Sequence, residues 1–349
     1  MTTQTLTAVI LGASGYTGAE TIRLLAHHKN VHVGAITANA QAGRSLGDMF
    51  PHLHPFADRT LVKAEDVNWE GVDVAFGCLP HGASEELLSE LPAHVTVIDL
   101  SADFRFRDAS SYATVYGRQH LHPIKTANAI YGLTEFARDA LAKKPPIIAC
   151  PGCYPTATLL ALKPLIQAGV VSPRDIIVDA KSGVSGAGRS LKEGNLFCET
   201  AEGMHAYSVG NHRHAPEIEQ ELSQASGGPV LVNFTPHLVP MTRGELVTCH
   251  VKLAGGASID DVRAVLMARF KDERFIKIAP QGASPDTRWV RGSNLCVIAV
   301  FPDRIPGRVI VVAVIDNLIK GSGGQAIQNM NVAFGLHESQ GLTMEPIFP

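Results

Sequence analysis

Leu6-Thr7-Ala8-Val9-Ile10-Leu11 runs directly into Gly12-Ala13-Ser14-Gly15-Tyr16-Thr17-Gly18, and the reading of that junction decides the fold. An apolar run of strand length meets a glycine-rich turn, and a helix is expected from about Gly18 to Leu25. Glycines are needed in such a turn for tight reversal, for close backbone approach to a pyrophosphate and for helix–strand packing. The free N–H groups and dipole of the following helix favour phosphate. The spacing is G-x-x-G-x-x-G rather than G-x-G-x-x-G. The strand–turn–helix context therefore carries the reading, and a ligand-free turn is the alternative.

Working outward, Val31–Thr37, Val72–Gly77, Val95–Leu100 and Ile147–Ala149 read as further short buried strands. Helical stretches such as Ala83–Leu91 lie between them, so the first part is expected to be a parallel α/β sheet. Beyond Cys153 the pattern changes. A helix over Pro155–Leu162 precedes longer strand-like segments at Asp175–Ala180, Val230–Phe234, Leu246–Leu253, Leu295–Phe301 and Arg308–Ile315. Helical patterns at Ala215–Leu222 and Ile259–Phe270 separate some of them. This predicts an α+β domain with a mostly antiparallel sheet. Residues 317–336 are helix-like. The expected division is 1–150, completed by residues 317–349, and 151–316.

The end of the second strand bears on the cofactor. An NAD site usually carries an acid there to hold the ribose 2′-hydroxyl. Here the chain reads Ile36-Thr37-Ala38-Asn39, and Arg44 follows. A missing acid tolerates a 2′-phosphate and a nearby guanidinium attracts one, so NADP(H) is expected. A solvated surface charge is the other reading of Arg44.

Length and composition set the frame. The 349 residues suggest two domains, and 45% hydrophobic with 18% charged residues is the profile of a globular enzyme. A formal net charge of −3 argues against nucleic-acid or membrane-surface partners. Met1-Thr2-Thr3-Gln4 lacks the features of a signal peptide, and Val309–Ile315 is too short to span a bilayer, so a cytoplasmic protein is expected. Six cysteines in this length do not suggest a disulfide scaffold. Cys150-Pro151-Gly152-Cys153 is a C-x-x-C, open to a redox or zinc reading. No second ligand pair at matching spacing supports zinc, and no metal is expected.

Cys153 carries the chemistry. Pro155 suits the first turn of a helix, which puts the thiol at the positive end of the dipole. That position favours the nucleophilic thiolate. Cys78, Cys198, Cys249 and Cys296 carry no such context and read as structural. His212-Arg213-His214-Ala215-Pro216-Glu217 leads into another helix. In extended geometry His212 and His214 share a face, and a helix N-terminus disfavours the imidazolium, leaving a neutral base. A zinc pair and a surface role are the competing readings.

These segments resemble the N-acetyl-gamma-glutamyl-phosphate reductase family of arginine biosynthesis, within the aspartate-semialdehyde-dehydrogenase-like group. The resemblance spans essentially the whole chain. It is most specific at Ile148-Ala149-Cys150-Pro151-Gly152-Cys153-Tyr154-Pro155-Thr156-Ala157, and includes Gly12–Gly18, Cys78–Gly82, Asp99–Arg105, Ser182–Arg189, His212–His214 and Asp316–Gly321. Many members carry Asn where this chain has Cys150.

The resemblance implies a Rossmann-type domain plus an α+β catalytic and oligomerisation domain, in a homo-oligomer (dimer or tetramer) acting on a small molecule. It implies that the Cys153 thiolate attacks the γ-acyl phosphate, expels phosphate and is reduced as a thioester by NADPH, releasing the semialdehyde. Acid–base work falls to His214 or His212, with His214 favoured. Cofactor contacts are expected from Gly12, Ser14, Gly15, Tyr16, Thr17, Gly18, Thr37, Arg44, Cys78, Pro80, Ser182, Gly183 and Asn317. Arg105, Arg189, Arg243 and Glu217 are the substrate-binding candidates, with structural ion pairing as the alternative for the arginines. The rivals are an aspartate-semialdehyde dehydrogenase, a lysine-pathway acyl-phosphate reductase, a non-catalytic NADP-binding regulator and a thiol hydrolase.

Overall fold

Short apolar runs of four to eight residues bury both of their faces only when helices cover a parallel sheet on either side, and the first half of the chain does this. The computed structural model describes residues 5–348. Its backbone separates into two units. One ends at Pro151 and resumes over Ser322–Thr343, and the other comprises Gly152–Gly321 with the residues from Met344 on.

In the first unit, β1 (Leu6–Leu11), β2 (Val31–Ile36), β3 (Val74–Gly77), β4 (Thr96–Asp99), β5 (Ile130–Tyr131) and β6 (Ile147–Ala149) form one sheet in the order β2-β1-β3-β4-β6-β5. All its pairings are parallel. Val9, Leu11, Ala75, Val97 and Ala149 lie in one buried cluster of this sheet. β5, two residues long, was not expected from the sequence, being too short to show a period. The strand order reverses around β1, and ligands of open α/β sheets bind at such a switch point, beyond the carboxyl ends of the strands.

The helix Gly324–Ala333 belongs to this unit and packs against the helices Tyr16–Leu25 and Thr134–Leu141. Several of its buried polar side chains find backbone and side-chain partners, although Gln325 Oε1 has none among the described residues. Asn329 Nδ2 donates to Gly132 O at 2.7 Å, Gln325 Nε2 to Thr134 Oγ1 at 2.6 Å, and Asn331 Oδ1 lies 2.8 Å from His28 Nε2. Such bonds offset the cost of burying amides, about 1–3 kcal/mol for each unsatisfied group.

The second unit carries β7 (Ile176–Gly183), β8 (His205–Ala206), β9 (Val232–Val239), β10 (Glu245–Lys252), β11 (Ile276–Ile278), β12 (Cys296–Pro302) and β13 (Arg308–Ile315). They form one mixed sheet in the order β11-β12-β13-β10-β7-β9-β8. Its central pairings are antiparallel, while β7–β9 and β11–β12 are parallel. The helix Cys153–Gln167 lies on β10 and β13 and against the helix His214–Ser226. Residues Tyr154–Ile166 of that helix are all buried, as expected for a helix enclosed on every side. It runs through Pro164 to Gln167, five residues beyond the expected stop near Leu162. Between the two helices, Lys163 Nζ meets Glu221 Oε2 at 2.9 Å, so the buried charges are paired.

Candidate active site

In the first unit the glycine-rich turn leaves β1 and enters the helix Tyr16–Leu25 through Gly15, which is in extended conformation. Gly12 has φ +82°, and a β-carbon there would collide with the Cys78 carbonyl at the end of β3. A β-carbon on Gly18 would lie 2.6 Å from Gly12 O, so this glycine is needed for the turn to pack on its helix. Thr37, at the end of β2, closes the turn from the other side: its carbonyl accepts Ala13 N–H at 2.8 Å and its Oγ1 accepts Gly12 N–H at 3.4 Å. Gly12–Gly18, Thr37 and Cys78 are therefore brought together at the strand ends. The absence of β-carbons lets a phosphate approach the backbone, so the residues present fit a dinucleotide. Arg44 is exposed on the loop after β2, and its Nη1 donates to Gln41 Oε1 at 2.8 Å.

Arg105 has backbone carbonyls among its partners. It is buried, with Nε donating to Cys150 O at 2.8 Å and Nη2 to Leu100 O at 3.3 Å. These bonds hold the backbone just ahead of the Cys153 motif. Cys150 is itself buried, Asn329 Nδ2 approaches its sulfur at 3.6 Å, and burial pushes its thiol well above the ordinary range. A thiol held in that form is a poor nucleophile. Near it, burial raises Asp99 to about 6, against the opposing hydrogen bonds of Ser84 and Ser101.

In the second unit, Cys153 is the first residue of its 15-residue helix and Gly152 is the cap. The cap side chain is only a hydrogen because His214 occupies the space: a β-carbon on Gly152 would sit 2.8 Å from His214 Cε1. On the other side of the thiol, a β-carbon on Gly321 would lie 2.7 Å from Cys153 Cβ. Glu217, buried in the His214 helix, accepts the Gly152 N–H with Oε1 at 2.9 Å. Glu217 thus fixes the approach to Cys153.

His212 and His214 do meet, with ring centroids 4.8 Å apart. They meet around a helix start and not along an extended segment: Arg213, between them, has helical φ −61° and ψ −19°. His212 Nδ1 accepts the His214 backbone N–H at 3.1 Å, which requires that nitrogen to be unprotonated. Burial, with Arg213 adding to it, lowers His212 to about 4. Tyr154 packs on both imidazoles at 5.8 Å, and Tyr207 OH donates to Tyr154 OH at 3.2 Å.

The remaining expected residues of this unit fall into two groups. Asn317 Nδ2 donates to Ser185 Oγ at 2.9 Å and its Oδ1 accepts Gly244 N–H at 2.9 Å, which ties the end of β13 to the turn beyond β7. Ser182 and Gly183 close β7 there, and a β-carbon on Gly183 would lie 2.8 Å from Met241 O. Arg243 Nη1 lies 3.5 Å from Asp316 Oδ2. Arg189 is exposed in the segment after β7.

Glu245 was not anticipated. It is fully buried at the first position of β10, and among the described residues no N–H or hydroxyl donates to either carboxyl oxygen, so the Cys153 thiol is the side chain that acts on it. Burial raises its carboxyl to about 8, with the Cys153 thiol opposing. The sequence did carry a signal: Glu245, Val247, Cys249 and Val251 alternate onto one buried face, so the acid stands where an apolar residue belongs.

No helix among the described residues is long and apolar enough to cross a membrane. Residues 7–144 match the model of the semialdehyde dehydrogenase NAD binding domain, and residues 153–317 that of the semialdehyde dehydrogenase dimerisation domain, which indicates an oligomer. The chain is 50% identical to an N-acetyl-gamma-glutamyl-phosphate reductase of Rhodospirillum rubrum, over 97% of this chain and 98% of that one. It is 49% identical to a probable chloroplastic N-acetyl-gamma-glutamyl-phosphate reductase of Arabidopsis thaliana, over 97% and 84% of the two chains. Aspartate semialdehyde dehydrogenase II of Vibrio cholerae, solved with ASA, shares the fold with TM-score 0.72 at 19% identity, covering 94% and 98% of the two chains. The corresponding enzyme of Candida albicans, solved with NADP, gives TM-score 0.71 at 16% identity over 95% and 99%. With near-full-length identity at this level, the chain belongs to the N-acetyl-gamma-glutamyl-phosphate reductase family of the semialdehyde dehydrogenases.

Proposed function

We propose that the protein reduces N-acetyl-gamma-glutamyl phosphate to N-acetylglutamate 5-semialdehyde, a step of arginine biosynthesis, through a thioester on Cys153. The observation that carries this reading is the position of Cys153 as the first helical residue, with the preceding Gly152 fixed by Glu217 and covered by His214. The helix dipole favours the thiolate, which is the attacking form. Its sulfur bonds to the acyl carbon and the bond from that carbon to the phosphate oxygen breaks. NADPH, when bound on the glycine-rich turn, supplies the hydride that reduces the thioester.

His214 is our candidate for moving the proton at the carbonyl oxygen. His212 stays neutral across physiological pH and orients His214 through its Nδ1. Glu217 is a positioning residue and not a substrate ligand. Arg243 and Arg189 remain the candidates for holding phosphate or carboxylate, since a guanidinium pairs with both. We further propose a cytoplasmic dimer or tetramer.

The assay that tests the substrate is phosphate-dependent NADP reduction with N-acetylglutamate semialdehyde, set beside aspartate semialdehyde. The expected result is a specificity constant at least a hundredfold higher for the acetylated substrate. Equal constants, or a preference for aspartate semialdehyde, would overturn it.

A further inference from the structure

Four residues from four separate segments meet at the start of the Cys153 helix. Cys153 opens that helix, Gly321 lies against its Cβ, and Ile315 closes β13 with its Cδ1 so near that a β-carbon on Gly321 would lie 3.2 Å from it. Glu245 is the direct ladder partner of Ile315 across the β10–β13 pair, and of Ser182 across the β10–β7 pair. Its carboxyl is within reach of the Cys153 thiol and is shielded from water and from N–H and hydroxyl donors among the described residues.

A carboxylate in such a place cannot be ionised cheaply, because no N–H or hydroxyl replaces its water. The thiol has the opposite bias, since the helix start favours its anion. When the pair holds one negative charge, that charge belongs on sulfur and the remaining proton on the carboxyl.

We propose that Glu245 is a further catalytic group: held as a neutral carboxylic acid, it donates its O–H to the Cys153 sulfur. The donor stabilises the thiolate before attack and again when sulfur departs. In acyl transfer the sulfur lone pair forms the C–S bond. The C–O bond to phosphate breaks, phosphate leaves with that electron pair and takes up the proton the thiol had released. The Glu245 proton stays on its carboxyl throughout. When the C–S bond later breaks, sulfur leaves as thiolate and regains the same donor.

The surroundings of Glu245 agree with this assignment. Its ladder partners Ile315 and Ser182 do not titrate in this range. Beyond Ile315, Asp316 accepts the N–H groups of Gly292, Leu318 and Ile319 and meets Arg243. From the Cys153 helix, Tyr154 faces it, and from the segment before the His214 helix, Tyr207. Burial raises both phenols, so both are uncharged at working pH, and their hydroxyls donate elsewhere, Tyr207 to Tyr154 and Tyr154 to the His237 carbonyl. Burial and the Cys153 thiol are the two influences on the Glu245 carboxyl, with no cation among them.

The proposal rests on Cys153 as the nucleophile but not on the substrate, so its test uses none. The rate of Cys153 alkylation by iodoacetamide is followed by peptide mass spectrometry on the full chain at pH 7. Glu245→Gln keeps an N–H donor and should alkylate within threefold of wild type. Glu245→Leu keeps none and should be at least tenfold slower, with its alkylation profile moved to higher pH; Glu245→Met serves if Glu245→Leu does not fold. If both variants alkylate faster, Glu245 is an ionised carboxylate repelling the thiolate, and the proposal is wrong. It is equally wrong if Glu245→Leu matches wild type or if Glu245→Gln slows with it. Each of those outcomes leaves the reductase reading standing, which only the substrate assay addresses.

Discussion

The carboxylate of Glu217 accepts the backbone N–H of Gly152 at 2.9 Å, so the residue ahead of the nucleophile is tied to the His214 helix. Losing that acceptor leaves a buried N–H unsatisfied, at about 1–3 kcal/mol. Glu217→Ala should lower the melting temperature and reduce kcat at least tenfold, while Glu217→Gln, which keeps a carbonyl acceptor, should stay within about threefold. Steady-state kinetics and thermal melts check this. A selective rise in KM with unchanged kcat would instead make Glu217 a substrate ligand.

Gly152→Ala is expected to be severe although the change is a single methyl. The added carbon would fall on the His214 ring, and the neighbouring backbone is held by Glu217. Turnover should drop by roughly the 10²–10⁴-fold typical of displaced acid–base groups, with far-ultraviolet circular dichroism unchanged. Near-wild-type turnover would show that His214 can move aside without consequence.

NADPH should be preferred over NADH, because β2 ends in Ile36 and is followed by Thr37 and Ala38 with no acid. Arg44→Ala should weaken NADPH selectively in steady-state kinetics with both cofactors. A loss shared equally by NADH would assign the guanidinium to its partner Gln41 alone.

The pH dependence of stability gives an independent view of Glu245. Its carboxyl is raised to about 8 in the folded chain from an ordinary value near 4.5. The native state then binds the extra proton between those values, so the stabilising contribution is complete below about 4.5 and is lost as pH rises through about 8. Glu245→Gln does not titrate. Its melting temperature relative to wild type should therefore increase from pH 5 to pH 9. A constant difference across that range would mean that Glu245 ionises normally.

Much of this was legible in the sequence where a local rule governs the outcome. The strand–turn–helix at Leu6–Gly18, the placing of Cys153 at a helix start before Pro155 and the missing acid after Ile36 each depend on a few adjacent residues. What depended on distant partners was less visible. Nothing near Arg105 in the sequence shows that its donors hold the Leu100 and Cys150 carbonyls. Nor does any sequence window show that Glu217 accepts the N–H of Gly152, 65 residues away. The histidines were paired by the right reasoning about proximity but the wrong local geometry, since Arg213 is helical and not extended. Glu245 went unread because its meaning comes from β13 and the Cys153 helix, which no sequence window joins.

The most direct test of the central claim is turnover of Cys153→Ser beside Cys150→Ala, with NADPH affinity measured for both. Cys150 is buried and its thiol is held far from ionisation. Cys150→Ala should therefore remain active, while Cys153→Ser should bind NADPH near the wild-type level and show no reduction. Turnover of Cys153→Ser within tenfold of wild type would contradict the thioester mechanism outright.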